Sequence, residues 1–203
     1  MSMSHLVLAS SSPHRKALLE RFGLAFEVVS PNVDETPRSG ETASDMVMRL
    51  ALLKARVVGE AHPRALVIGS DQCALRDGRI LGKPGGFEAA VEQLAGSAGR
   101  CVTFHTGLCL LNTANGDTQV EDVITRVTFR ALSHAQITAY VRRETPYQCA
   151  GSFMSERLGI ALVEAFEGQD PTALIGLPLI QLVSMLMRAG LNPLSDAIDH
   201  EPL

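Results

Sequence analysis

Residues 6–9, Leu-Val-Leu-Ala, form a short apolar run, and an amphipathic helical pattern begins within four residues of its end. A strand without a polar face has to be covered on both sides, so this segment reads as a fully buried strand of a sheet carrying helices on its faces. The chain leaves it through Ser10, Ser11, Ser12 and Pro13 and at once presents His14, Arg15 and Lys16. Ser12 suits an N-cap, and Pro13 suits the first helical position, where its missing N–H costs nothing. Gly23 suits the residue beyond the helix end. Strand and helix this closely joined set the class as α/β.

The remaining pattern extends that class. "AFEVVSP" reads as a second strand that empties into the loop "NVDETPRSGET". Thr42 or Ser44 can cap a helix running to about Gly59, whose apolar stripe is Val47, Leu50, Ala51 and Val58. Lys54 lies on that same inward stripe. "RALVIGSDQCAL" is a strand that turns through "RDGR" into "ILGKP", and Phe87, Ala90, Val91 and Leu94 mark a short helix. "CVTFHTGLCLLN" and "TQVEDVITRVTFRAL" are two long strands joined through "NTANGD", where Asn115-Gly116 is a strong hairpin signal. Ser133 with Gln136 forms a capping box for a helix ending near Arg143. "GIALVEAFEG" follows as a strand, then a helix with Leu179, Leu182, Val183 and Leu186 on one face that stops at Gly190. The expectation is one domain over residues 1–203, a mixed twisted sheet flanked by helices, with two lobes around a cleft and a loose end from about residue 194.

Composition excludes several classes of function. The 203 residues are 46% hydrophobic with mean hydropathy +0.13, which allows a sizeable core. No apolar run approaches the roughly 20 residues of a membrane-spanning helix, and the N-terminus lacks the pattern of a secretory signal, so the expected compartment is the cytoplasm. A net charge of −4 argues against a nucleic-acid polymer as partner. Cys73, Cys101, Cys109 and Cys149 form no CxxC pair, and three lie in apolar strand-like runs. They read as buried reduced thiols rather than a disulfide framework or a zinc site.

Three groups of residues could do chemistry. Free backbone N–H groups at the start of the first helix, the hydroxyls of Ser10, Ser11 and Ser12, and the planar fork of Arg15 together suit a phosphate. The same residues also fit an ordinary capped helix with a solvated basic first turn. Asp34, Glu35 and Asp71 form an oxygen-only set that suits Mg²⁺ or Mn²⁺ held partly by substrate phosphates. The alternative is a solvated turn for Asp34-Glu35 and a strand-end cap for Asp71. Lys54 and Lys83, the latter fixed in direction by "GKP", complete a balance of cations against acids that describes a metal–polyphosphate site. There is no GxxxxGK[ST] loop, no GxSxG elbow and no cysteine in a nucleophile context.

At these residues the sequence resembles the Maf family of nucleotide pyrophosphatases. The blocks "LASSSPHR", "VDE", "LALLKA", "GSDQ", "LGKP", "FHTGL", "CAGSFMSERLGIALVEAFEG" and "IGLPL" match in order and run nearly end to end. "SDQ" and "SFMSERLG" place it nearest the branch associated with 7-methyl-GTP. The resemblance implies an α/β fold with a deep cleft, similar to the inosine triphosphatases. It also implies metal-dependent hydrolysis between the α- and β-phosphates of a nucleoside triphosphate. Asp71 is then the proton acceptor, and Glu35 with Asp71 the metal site. Ser10, Arg15, Lys54 and Lys83 are the phosphate-binding set, and His14, Gln72 and Glu156 select the base. His14 departs from the family's usual Arg, and "GSAGR" replaces a more usual Leu-Ser-Gly run. The implied partner is a small-molecule nucleoside triphosphate, with no nucleic acid, no membrane, and a homodimer left open. A nucleotide-binding regulator of cell division acting by protein contact, or the same chemistry on dTTP, UTP or another purine, are the rival readings.

Overall fold

The computed structural model describes residues 5–195. Its strands are β1 (His5–Ala9), β2 (Phe26–Val29), β3 (Ala65–Arg76), β4 (Arg79–Leu81), β5 (Cys101–Asn112), β6 (Thr118–Phe129) and β7 (Val163–Glu167). Its helices are α1 (Pro13–Leu19), α2 (Ala43–Gly59), α3 (Phe87–Ser97), α4 (His134–Glu144) and α5 (Leu179–Arg188). The strands form one sheet in the order β2-β1-β3-β5-β6-β7, with β4 also paired to β3. β1 pairs in parallel with β2 and β3, and every other pairing is antiparallel. The class is α/β with a mixed sheet. None of the described helices is long and apolar enough to cross a membrane.

Two crossovers clothe β1. Leu6 and Leu8 pack with Leu18 and Leu19 of α1 and with Leu182, Met185 and Leu186 of α5, while Val7 and Ala9 pack with Ala51 and Ala55 of α2. The apolar run is therefore covered on both sides, as its composition requires. Further along the α1/α5 face, Phe104, Val127 and Phe129 pack with Leu94 of α3 and Tyr140 and Val141 of α4. The hairpin predicted at Asn115-Gly116 is present, and its ladder runs from Leu111↔Thr118 to Cys101↔Thr128. Thr42 rather than Ser44 caps α2, and the Ser133–Gln136 capping box forms as expected.

One irregularity of the sheet makes a cleft. The parallel ladder ends at Ala9↔Gly69, and β4 joins only at Ala74↔Leu81. Between those rungs the edge of β3 that faced β1 is left without a strand, and Asp71, Gln72 and Cys73 lie in the gap. Ligands of open α/β sheets sit in such a place, beyond the carboxyl end of a parallel strand where neighbouring crossovers diverge.

α2 lies unusually close to this part of the sheet because Gly69 and Gly107 have no side chain. A Cβ at Gly69 would overlap the Ala51 carbonyl oxygen, and one at Gly107 the Val47 carbonyl oxygen. Gly107 stands directly opposite Asp71 in the β3–β5 register.

Three expectations are corrected, and a fourth lies outside the described residues. "GIALVEAFEG" is a strand only from Val163, because Leu158–Leu162 forms a 3-10 turn in which Gly159 packs against the Met154 carbonyl. In α5 the fully buried face is Leu179, Leu182, Met185 and Leu186, with Val183 only half-buried, since the helix turns its methionine to the sheet. Cys101 begins β5 at the surface and is exposed, unlike Cys73 and Cys109, and all four cysteines are free thiols. The tail expected to be loose from about residue 194 lies outside the described residues apart from residues 194 and 195.

Substituting Gly107→Ala should lower the unfolding free energy by about 1–3 kcal/mol and the urea midpoint with it, because the added methyl meets helix backbone that cannot yield locally. Equilibrium urea unfolding checks this, and an unchanged midpoint would mean that α2 is not held against the sheet as described.

Candidate active site

A cleft of about 680 Å³ opens at the gap beside β3. Its walls come from the β1–α1 junction, the loop between β2 and α2, the middle of β3, the segment after β4, residues 148–156 and the turn 174–176. Ser10, His14, Arg15, Glu35, Lys54, Asp71, Gln72, Lys83 and Glu156 all line it.

Lys54 is at its centre. It projects from the inward stripe of α2, is 4% exposed, and hydrogen-bonds Asp71 Oδ1 at 2.6 Å. Its Nζ is also 2.6 Å from Glu35 Oε1. Lys83 Nζ lies 3.7 Å from Glu35 Oε2. Burial alone would raise the Glu35 carboxyl, but the hydrogen bond and charge of Lys54, then Lys83 and Arg15, outweigh it and hold Glu35 below the usual carboxylate range. Two carboxylates thus converge on one cation that the protein itself supplies. Among the described residues no three His, Cys, Asp or Glu side chains form a metal cage. The donor set nonetheless fits a hard divalent cation, because two carboxylates already share a cationic centre and substrate oxygens and water can fill the remaining positions.

Arg15 also lines the cleft and is half-buried. Its Nε donates to the Gly176 carbonyl at 2.7 Å, and no carboxylate pairs with it among the described residues. Desolvation pulls it below its ordinary value, opposed at longer range by Asp71 and Glu35, and a guanidinium remains charged throughout. Ser12 caps α1 as predicted, accepting from the Arg15 N–H, and the buried Ser10 hydroxyl accepts from the Ser12 N–H. The serines therefore build the turn as well as facing the cleft.

At the cleft mouth His14 Nδ1 is 3.0 Å from Glu156 Oε1. Glu156 is an exposed turn residue whose carboxylate pairs with His14 at the rim. Gln72 reaches the cleft with only part of its amide. Its Nε2 is turned inward to Thr106 Oγ1 at 3.0 Å, Ala173 O at 2.8 Å and Leu174 O at 3.2 Å. Two carbonyl partners fix the amide orientation, so only Oε1 is left for the cleft. Asp34 does not join the acidic set. Its Oδ1 accepts from the Thr36 N–H and hydroxyl in a local turn at the surface, which is the solvated alternative.

Sequence reasoning missed the supports of this site. Arg49 grips Glu41 through Nε–Oε1 at 2.5 Å and Nη2–Oε2 at 2.7 Å, and so pins the loop carrying Glu35 to α2. The buried Asp170 accepts from Thr172 and from the Ile180 N–H, fixing the turn that presents Gly176. "DPT" before "IGLP" is the signal that could have found it, an Asx turn leading into a helix.

The pattern of Maf-like proteins matches residues 5–189 of this chain. The chain belongs to the Maf family. A 7-methyl-GTP pyrophosphatase of Burkholderia thailandensis is 55% identical over 97% of this chain and 92% of its own length. Proteins of the same name from Cupriavidus pinatubonensis (53% identity, 93% of this chain and 94% of theirs) and Nitrosococcus oceani (54%, 91% and 93%) are comparably similar. The solved structure of the Staphylococcus aureus Ham1 protein superposes with a TM-score of 0.45 at 18% identity, covering 63% of this Maf chain and 73% of that one.

The Glu41 carboxyl is held at about 2, chiefly by the Arg49 hydrogen bonds acting against its burial. A carboxylate depressed in the folded state stabilises the fold fully above its ordinary value near 4.5 and loses that contribution as pH falls toward 2. Glu41→Gln should therefore lower the thermal midpoint at pH 7, and the gap from the parent protein should close between about pH 4.5 and 2. A gap independent of pH would assign the effect to packing alone.

Proposed function

We propose that this Maf protein is a nucleoside triphosphate pyrophosphatase that hydrolyses the α–β phosphate bond, with 7-methyl-GTP as its substrate. One observation carries the chemistry. Three cations, Arg15, Lys54 and Lys83, and two carboxylates, Glu35 and Asp71, face a single cleft from separate segments of the chain. Such a set suits a polyanion, because each phosphate oxygen finds a donor and the acids are left to handle water and metal. The proteins similar to it are named for that activity.

In this reading Asp71 accepts a proton from the attacking water. The water oxygen bonds to phosphorus, the bridging P–O bond breaks, and pyrophosphate leaves with that electron pair. Glu35 and Asp71 would hold Mg²⁺ or Mn²⁺, which neutralises phosphate charge when bound. Lys54 hands its positive charge from the two carboxylates to the incoming phosphates. Ser10, Arg15 and Lys83 complete the phosphate grip.

Base choice follows from which atoms are left over. The Gln72 N–H groups are spent on the protein, so Gln72 Oε1 and the Glu156 carboxylate meet a ligand as acceptors. 7-Methylguanine carries a positive ring and the donors N1–H and N2–H₂, which two acceptors and one negative charge match. His14, next to Glu156, gives an imidazole face for the ring.

Pyrophosphate release across a panel of 7-methyl-GTP, GTP, UTP, dTTP and ITP with Mg²⁺ or Mn²⁺ tests the assignment. The highest kcat/KM is expected on 7-methyl-GTP, and the absence of release from every nucleotide would leave the chain as a binder acting by contact. Asp71→Asn should reduce kcat by roughly 10²–10⁴-fold. Fold and nucleotide affinity should be retained in that variant, since Glu35 still partners Lys54. Glu156→Gln should lower kcat/KM for 7-methyl-GTP more than for UTP, and an equal loss on both would remove Glu156 from base selection.

A further inference from the structure

The stretch Gly69-Ser70-Asp71-Gln72 holds one residue that the proposed chemistry does not use. Ser70 is 0% exposed and faces away from α2, on the side of β3 that carries Leu66 and Ile68. A hydroxyl buried there is costly unless it is hydrogen-bonded. Its Oγ donates to the Gly176 carbonyl at 2.9 Å, 106 residues away in sequence. The same oxygen receives Arg15 Nε at 2.7 Å, so both of its lone pairs are used.

The carbonyl is held from several directions. Gly176 has φ 121°, a backbone state open to glycine, and a Cβ there would sit 3.4 Å from Arg15 Nε. Two residues earlier and three residues earlier, the Leu174 and Ala173 carbonyls are pinned by Gln72 Nε2, and Ala173 O also accepts from Thr106 Oγ1 at 3.0 Å. Thr106 stands opposite Gln72 in the β3–β5 register. Three polar side chains of one sheet face therefore anchor three carbonyls of one turn.

This geometry bears on Arg15. A guanidinium donates in one plane, and tying Nε to a fixed carbonyl sets the plane in which the two Nη groups point. Arg15 has no carboxylate partner among the described residues to orient it instead. We propose that Ser70 is a positioning residue, which by holding the Gly176 carbonyl aims the Arg15 fork at the phosphates of the substrate. The inference rests on Arg15 being a phosphate ligand, as proposed above.

The test is a double-mutant cycle of Ser70→Ala and Arg15→Ala, read with Mg²⁺ as KM for 7-methyl-GTP, inhibition by inorganic pyrophosphate, kcat and thermal midpoint. Ser70→Ala alone should raise both KM and the pyrophosphate inhibition constant by about tenfold with a smaller change in kcat. In the Arg15→Ala background it should change neither, while still lowering the thermal midpoint. The same factor in both backgrounds, or no change in either constant, overturns the inference while leaving Arg15 as a ligand. Pyrophosphate inhibition untouched by Arg15→Ala overturns the phosphate reading itself and this inference with it. Should Ser70→Ala not fold, Ser70→Cys, close in size with a weak donor, replaces it in the same cycle.

Discussion

A buried ammonium between two carboxylates is the constraint around which this molecule is arranged. Taking Lys54 out of water carries a penalty of several kcal/mol in general, and attraction to a partner offsets it only in good geometry. Contacts of 2.6 Å to both Asp71 and Glu35 provide that geometry. They require α2 to lie almost against β3 and β5, which is why Gly69 and Gly107 carry no side chain. They also require the loop bearing Glu35 to stay near α2, which the Arg49–Glu41 pair secures. In an isolated core such a trio would be replaceable by apolar residues at no loss of stability. Its placement in a cleft, where under the proposed function an incoming anion takes over the lysine's charge, is what would give it a use.

The cleft exists because the sheet is unfinished at that point. β1 stops while β3 runs on, and β4 arrives too late to fill the space. A parallel strand and its two crossovers thus expose the middle of β3, together with the start of α1, to one hollow. The same break explains how residues from positions 10 to 176 share a wall without any motif joining them in sequence.

Much of this was legible from sequence wherever a local rule applied. Ser12 and Pro13 marked a helix start, Asn115-Gly116 a hairpin, and Ser133 with Gln136 a capping box, because each is decided by neighbours a few residues away. Lys54 could be singled out because its spacing put a charge on an apolar stripe. What stayed hidden was long-range. Nothing near Asp34 distinguished it from Glu35, yet one closes a local turn while the other reaches Lys54. Nothing near Gln72 revealed that its amide would be spent on carbonyls a hundred residues later. Asp170 went unread although an Asx-turn signal marked it, and the role of Gly176, quoted only as part of "IGLPL", stayed hidden because a carbonyl serving an arginine is defined by its partner. The length of β7 was overstated because an apolar run is equally compatible with a 3-10 turn packed on the core.

The cleft also sorts its polar atoms by sign, and that ordering bears on how a nucleotide can lie in it. Arg15, Lys54 and Lys83 offer donors and positive charge. Glu156 and the free Gln72 oxygen offer acceptors, because the sheet and the turn have absorbed the glutamine's N–H groups. A triphosphate reversed in the cleft would set its oxygens against Glu156, and a cationic base would then face the lysines. Both mismatches are Coulombic and act in a partly dehydrated space, where they weigh more than in water. Under the proposed function, orientation is therefore enforced by repulsion as much as by attraction. In the proposed reading the arginine contributes direction through its tether at Nε, Lys54 contributes charge fixed between two carboxylates, and the exposed Lys83 contributes charge on a flexible stem. That division suits a polyphosphate whose end must be fixed while its middle is cleaved.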